Sequence, residues 1–278
     1  MTSETVTKKI LITGATAGIG LETARTLAAQ GHHLLVHGRS APKVEALERS
    51  LTAVAGVSPI EGYVADLSRM ADVESLAAAV SEKHGSLDVL INNAGVFKTP
   101  EPITPAGFDV RFVVNTFAPF VLTQCLLPIL GAAGRVINLS SAAQSPVDLE
   151  ALAGRVRLPD FEAYAQSKLA LTMWTCHLGR TRAKQGPVFV AVNPGSMLGT
   201  NMVQEGFGDA GKDVRIGSDI LVRAALSDDF VEVSGAYFDN DARRFAPPHP
   251  DALDPSKCET VLGVIEKLAG WRLARSQT

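Results

Sequence analysis

Ile10-Leu11-Ile12-Thr13-Gly14-Ala15-Thr16-Ala17-Gly18-Ile19-Gly20 decides how this chain reads. The apolar run at its start predicts a strand, the glycines a turn, and the helix-patterned residues that follow predict a helix N-terminus. Glycine admits positive φ and lets a ligand approach the backbone closely, while the helix start offers unpaired N–H groups and the positive end of a dipole. Such a turn is a phosphate cradle suited to a dinucleotide, with a spacing, Gly-x-x-x-Gly-x-Gly, looser than the commonest fingerprint, Gly-x-Gly-x-x-Gly. An ordinary strand-to-helix turn that binds nothing would read the same way, so residues farther along must decide.

Outward from this turn, short apolar runs alternate with helical stretches. Strands are predicted over 8–13, 33–37, 58–65, 87–92, 134–140 and 187–193. Most of these runs are continuously apolar, the pattern of parallel strands covered on both faces, and the alternation predicts a doubly wound α/β sheet of Rossmann type. Ligands of such sheets sit at the strands' C-terminal ends. With 278 residues, 46% of them hydrophobic, one large α/β domain spanning residues 1–278 is favoured. Thr104-Pro105 and Ser256-Lys257-Cys258-Glu259 read as helix starts. The stretch 246–255 reads as an irregular connection.

A net charge of −3 gives no basic footprint for nucleic acid, and Arg243-Arg244 reads as solvated surface. Residues 1–9 lack the apolar core of a signal peptide and no apolar stretch is read as long enough to span a bilayer, so a cytoplasmic protein without a membrane span is expected. Cys125, Cys176 and Cys258 show no metal-ligand spacing and fit reduced thiols.

Tyr164 and Lys168 stand four residues apart, which in a helix places both on one face and brings an ammonium near a phenol. A nearby positive charge favours phenolate, making Tyr164 a usable proton donor or acceptor. Ser141 ends the predicted strand 134–140 and would reach the sheet's C-terminal edge, where a hydroxyl can stabilise developing alkoxide charge; Ser140 competes for that place. Asn115, a poor helix former inside an apolar helix, needs a specific partner for its amide.

The ordered set of Thr13 to Gly20, Asn92-Asn93-Ala94-Gly95, Asn115, Ser141 and Tyr164-Ala165-Gln166-Ser167-Lys168 resembles the short-chain dehydrogenase/reductase family of the classical type, over roughly residues 8–240. The resemblance implies an oxidoreductase that interconverts a carbonyl and an alcohol by hydride transfer. Asn115, Ser141, Tyr164 and Lys168 would be its catalytic residues, with Asn115 in a proton relay and Lys168 also bonding the nicotinamide ribose. For the coenzyme it implies Gly14, Thr16, Ala17, Gly18, Ile19 and Gly20 at the phosphates, Asp66 and Leu67 at the adenine, Asn93, Ala94 and Gly95 beside the coenzyme, and Pro194 and Gly195 facing the nicotinamide. The family's usual threonine would fall at Gly199, leaving Thr200 displaced.

Relatives that prefer NAD(H) place an acidic side chain at the end of the second strand to bond the ribose hydroxyls. That position here is Gly38. Arg39 follows and can pair with a 2′-phosphate, Ser40 could add a contact, and NADP(H) is therefore favoured over NAD(H). The long interval from Gln144 to Asp160 resembles an insertion of the retinol dehydrogenase-like branch. Glycines interrupt residues 196–217, and Met197, Leu198, Met202, Val203 and Phe207 predict an apolar lid there. The implied substrate is a small, apolar carbonyl or alcohol. Helices around 108–130 and 164–184 could form a homodimer or homotetramer interface, or simply pack in the core. A catalytically silent NADP(H)-binding regulator, or an enoyl reductase, epimerase or dehydratase on the same scaffold, are the competing readings.

Overall fold

Hydrophobic side chains on both faces of every central strand dictate the architecture of the computed structural model, which describes residues 6–56 and 58–270. Along β1 (Lys9–Ile12), Ile10 and Ile12 enter one core and Leu11 the other, so the chain needs helices on both sides. The strands β2 (His33–Gly38), β3 (Ile60–Val64), β4 (Val89–Asn92), β5 (Arg135–Leu139), β6 (Val188–Asn193), β7 (Ala236–Asp239) and β8 (Arg244–Ala246) complete one sheet ordered β3-β2-β1-β4-β5-β6-β7-β8. β1 through β7 pair in parallel, and β8 returns antiparallel to β7. The order reverses between β1 and β4, which opens a crevice beyond their C-terminal ends.

Helices α1 (Gly18–Ala29) and α2 (Ala41–Ala55) contribute to one of these cores, and α3 (Met70–Lys83) to the other. α4 (Val110–Phe112), a π-turn (Val113–Phe117) and α5 (Ala118–Leu130) follow as one continuous run, and then come α6 (Leu149–Leu152) and α7 (Asp160–Thr181). α8 (Asn201–Phe207), α9 (Arg215–Leu226), α10 (Pro250–Leu253) and α11 (Pro255–Leu268) end the described chain.

Several expectations change. The run Val110–Leu130 spans 21 residues and contains an 18-residue window of mean hydropathy 1.7, long and apolar enough to cross a bilayer, contrary to the reading that no stretch approaches that length. Here most of it is buried inside the protein, where Arg111, Asn115 and Thr116 are also buried. Thr104 does not start a helix: its Oγ1 accepts from the Phe108 amide within a turn, and Asp109 caps α4 instead. Ser256 lies inside α11, whose first amides bond Asp254. The stretch 246–255, expected to be irregular, starts on the last residue of β8 and holds α10, with Arg243 in the hairpin turn and both Arg243 and Arg244 exposed. α8 is a regular helix within the glycine-rich segment 196–217, closed by Gly208 in the left-handed region.

The apolar face of α7 is covered by the chain itself. Cys258, Val261, Leu262 and Ile265 of α11 and Ala252 of α10 are buried in the same cluster as Met173, Trp174 and Cys176. The apolar residues of 164–179 therefore pack in this chain's own core, while Arg180, Thr181, Ala183 and Lys184 are exposed. All three cysteines are free thiols.

Close approach fixes one more contact. A Cβ on Gly179 of α7 would stand 2.1 Å from the Gly235 amide nitrogen at the start of β7. Both partners are backbone, so neither can yield. Gly179→Ala is expected to lower stability by about 3 kcal/mol, read as a lower denaturation midpoint in urea; an unchanged midpoint would refute the packing described.

Candidate active site

The glycine turn leaves β1 at the switch point. Gly14 has φ +66°, and a Cβ there would lie 2.9 Å from Ala94 Cα. Thr13 Oγ1 accepts from the amides of Asn93 and Ala94, both at 3.1 Å, and Asn93 Nδ2 donates to the carbonyls of Thr13 and Gly14 at 2.8 and 3.1 Å. The turn and the loop after β4 therefore form one rigid unit. Among the described residues no side chain caps α1, so its first amides remain available at the cavity floor.

His37 of β2 braces this unit. Its Nδ1 accepts from the Gly14 amide at 3.2 Å and its Nε2 reaches the Ala65 carbonyl at 3.1 Å. Those partners require a neutral imidazole with the proton on Nε2, and burial lowers its pKa in the same direction.

Gly38 ends β2 against the turn, where a Cβ would stand 2.5 Å from Thr16 Cγ2. Arg39 follows it, exposed and lining the cavity. Asp66 and Leu67 border the same region, with Asp66 Oδ1 accepting from the Ser68 amide and hydroxyl at 3.0 and 2.8 Å. Asp66 is thus a turn residue; Arg69 occupies the N-cap of α3.

At the other end of the cavity, β5 delivers two adjacent serines in opposite directions. Ser140 is buried with its hydroxyl 2.6 Å from Thr172 Oγ1. Ser141 Oγ accepts from the Ala143 amide at 3.1 Å and hydrogen-bonds the Tyr164 phenol. Lys168 lies one turn from Tyr164 with its Nζ 5.8 Å from the ring centroid, and donates to the Leu139 carbonyl at 2.7 Å. At 3% exposure it is no surface partner.

Burial pushes the two groups towards their neutral forms. The Tyr164 phenol rises above its ordinary range, opposed only by the Ser141 hydrogen bond, and the Lys168 ammonium falls to about 8. The acidified phenol expected from sequence is therefore not the resting state of the pair.

Asn115 sits in the π-turn, a distortion that aims its amide at the loop after β4. Its Oδ1 accepts from the Val96 amide at 2.8 Å, and its Nδ2 donates to the Val96 carbonyl and Ser167 Oγ, each at 3.0 Å. A Cβ on Gly95 would lie 3.4 Å from Asn115 Oδ1 and 3.5 Å from Lys168 Nζ. Glycine keeps that gap between them open.

One cavity of about 490 Å³ gathers Gly14, Thr16, Ala17, Gly18, Ile19, Arg39, Asp66, Leu67, Asn93, Ala94, Gly95, Ser141, Tyr164, Lys168, Pro194 and Gly195. Gly20 and Asn115 stand behind its wall, and Ser40 lies outside it. Thr200 caps α8 and brings its methyl to the glycine turn, where a Cβ on Gly18 would lie 3.3 Å from it. Sequence reasoning missed several supports. Arg111, buried, joins Asp109 and Asp160 and so anchors the start of α7. Tyr237 donates to the Ser141 carbonyl at 3.2 Å, and Asp241 accepts from Asn193 and Ser196. An Asp-x-Arg pair before an apolar helix was the one visible signal among these.

The pattern described as short chain dehydrogenase matches residues 8–210. The chain belongs to that family. Human retinol dehydrogenase 13 is 30% identical over 95% of this chain and 85% of its own length, which places the chain in the retinol dehydrogenase-like branch. Human polyprenol dehydrogenase is 34% identical over 66% of this chain and 59% of its own length. A short chain dehydrogenase from Burkholderia cenocepacia, solved in complex with NADP, superposes with a TM-score of 0.69 at 26% identity, covering 84% of this chain and 95% of that one. The chain is accordingly an oxidoreductase of this family, with its Rossmann-type fold.

The lysine makes the electrostatic account testable. Carbon-13 titration of labelled lysines is expected to place Lys168 near 8, while solvated lysines titrate near about 10.4; a Lys168 midpoint among the solvated ones would contradict it.

Proposed function

We propose that the protein is an NADP(H)-dependent oxidoreductase that interconverts an apolar carbonyl compound and its alcohol. The observation that carries this reading is the shared cavity, which joins an uncapped helix start and Arg39 at one end to Ser141, Tyr164 and Lys168 at the other. The residues fit the coenzyme: the uncapped amides at the start of α1 lie where a phosphate would rest, and Gly38 removes the carboxylate that would repel a 2′-phosphate beside Arg39. The NADP complex of the Burkholderia relative supports the same choice.

When bound, the nicotinamide supplies or accepts the hydride. The chain's own residues then handle orientation and the proton. Ser141 Oγ, held by the Ala143 amide, directs its hydrogen bond at the substrate oxygen. Tyr164 gives that oxygen a proton during reduction and takes it back during oxidation. Lys168, fixed by the Leu139 carbonyl, presents its remaining donors to the coenzyme ribose, and its charge stabilises phenolate once the proton has left. Asn115 holds the loop that carries Gly95 and borders the gap beside Lys168.

The substrate end is walled by aromatics. Phe97 packs on Tyr164 at 5.2 Å between centroids and stacks on Phe207 of α8 at 5.6 Å. Phe207 is 54% exposed, and residues 196–217 carry it as a lid over an apolar carbonyl compound. The retinol and polyprenol named for the relatives are apolar alcohols of this class.

Steady-state kinetics with aryl and long-chain aldehydes test the reading. Turnover with NADPH is expected to exceed that with NADH, and Tyr164→Phe should lower kcat by about 10³-fold while coenzyme still binds. Arg39→Ala, at an exposed position, should weaken NADPH binding and leave NADH binding little changed. A Tyr164→Phe enzyme as active as the wild type would overturn the proposal.

A further inference from the structure

The coenzyme cavity opens at the C-terminal ends of the strands. A second cluster lies at the other end of the sheet, where His33 opens β2, Glu61 enters β3 and His84 follows α3. Glu61 sits between the two imidazoles: His33 Nε2 is 2.8 Å from its Oε1 and His84 Nε2 is 3.1 Å from its Oε2. The rings stand edge to face, 5.4 Å apart at 77°. The side chains of His33, Glu61 and His84 are only 16%, 16% and 5% exposed.

One ligand atom from each residue lies within 4.8 Å of the others. In a tetrahedral site with bonds of about 2.0–2.2 Å, ligand atoms stand roughly 3.3 Å apart. The two measured separations are already close to that, so small side-chain rotations would bring two imidazole nitrogens and a carboxylate onto one ion. This donor set suits zinc better than magnesium or calcium, which favour oxygen ligands. It also leaves a position for water. The Tyr63 hydroxyl, 3.2 Å from Glu61 Oε2, can hydrogen-bond the carboxylate and orient it.

We propose that His33, Glu61 and His84 bind a zinc-class divalent cation, which fastens the edge strand β3 to β2 and to the end of α3. Lys83 now places its ammonium 2.8 Å from Glu61 Oε2, but this side chain is 63% exposed and free to swing into water. It serves as the competing cation. The proposal does not depend on the oxidoreductase reading, because the cluster is remote from the coenzyme cavity and contributes none of its lining.

Equilibrium dialysis of the untagged, chelator-treated full chain against zinc chloride tests it. The wild type is expected to bind one zinc per chain and to unfold several degrees higher with zinc than without. Glu61→Gln and His84→Ala should each weaken binding by about tenfold or more, whereas Lys83→Gln should bind zinc at least as tightly as the wild type. NADPH titration should be unchanged by zinc. Should those two variants fail to fold, cobalt(II) added to the wild type should give visible d–d bands that zinc bleaches. The proposal falls if the wild type binds no zinc, if the folded His84→Ala variant binds it equally well, if Lys83→Gln weakens it, or if saturating cobalt gives no bands.

Discussion

A buried ammonium is the constraint on which the site depends. Lys168 is almost fully enclosed and is anchored on the Leu139 carbonyl at the end of β5. Desolvating a charge costs several kcal/mol, which is why burial alone draws this lysine down to about 8. The structure tolerates that only because α7 is held firmly. Arg111 anchors its start through Asp160, and Trp174 and the seam with α11 bury its remainder. Tyr164, one turn earlier on the same helix, is thereby fixed against Ser141.

The same economy governs the other end of the cavity. The glycine turn makes few contacts that a side chain could replace. It is held instead by Thr13, Asn93 and His37, each of which bonds backbone rather than another side chain. Backbone-directed bonds leave the amides at the start of α1 pointing outward and uncommitted. Because the loop after β4 supplies Asn93 to Gly95 and the loop after β5 supplies Ser141, the two ends are linked through neighbouring strands, with Asn92 and Asn138 bonded across them at 2.8 Å.

Much of this was legible in the sequence, for identifiable reasons. Continuous apolar strands and a glycine turn are local signals, and they yielded the parallel sheet and the cradle; the four-residue spacing of Tyr164 and Lys168 yielded a shared helix face. Information that depends on partners distant in sequence was not legible. Ser140 and Ser141 are chemically equal until Thr172 takes one of them. Arg243-Arg244 and the proline-rich stretch after it hid β8, whose pairing with β7 depends on a hairpin rather than on its own composition. The length of the apolar run 110–130 was misjudged because its polar residues, Arg111, Asn115 and Thr116, look like interruptions. In the fold each has a buried partner. Burial also altered the chemistry read from Tyr164 and Lys168, since spacing reports proximity and not desolvation.

The most direct measurement follows the atom that moves. Incubating the enzyme with 4-deuterated NADPH and an aryl or long-chain aldehyde, then weighing the alcohol by mass spectrometry, should show a single deuterium on the former carbonyl carbon. Alcohol formed without deuterium from either 4-deuterated epimer of NADPH, or no alcohol from any apolar carbonyl compound, would contradict the account.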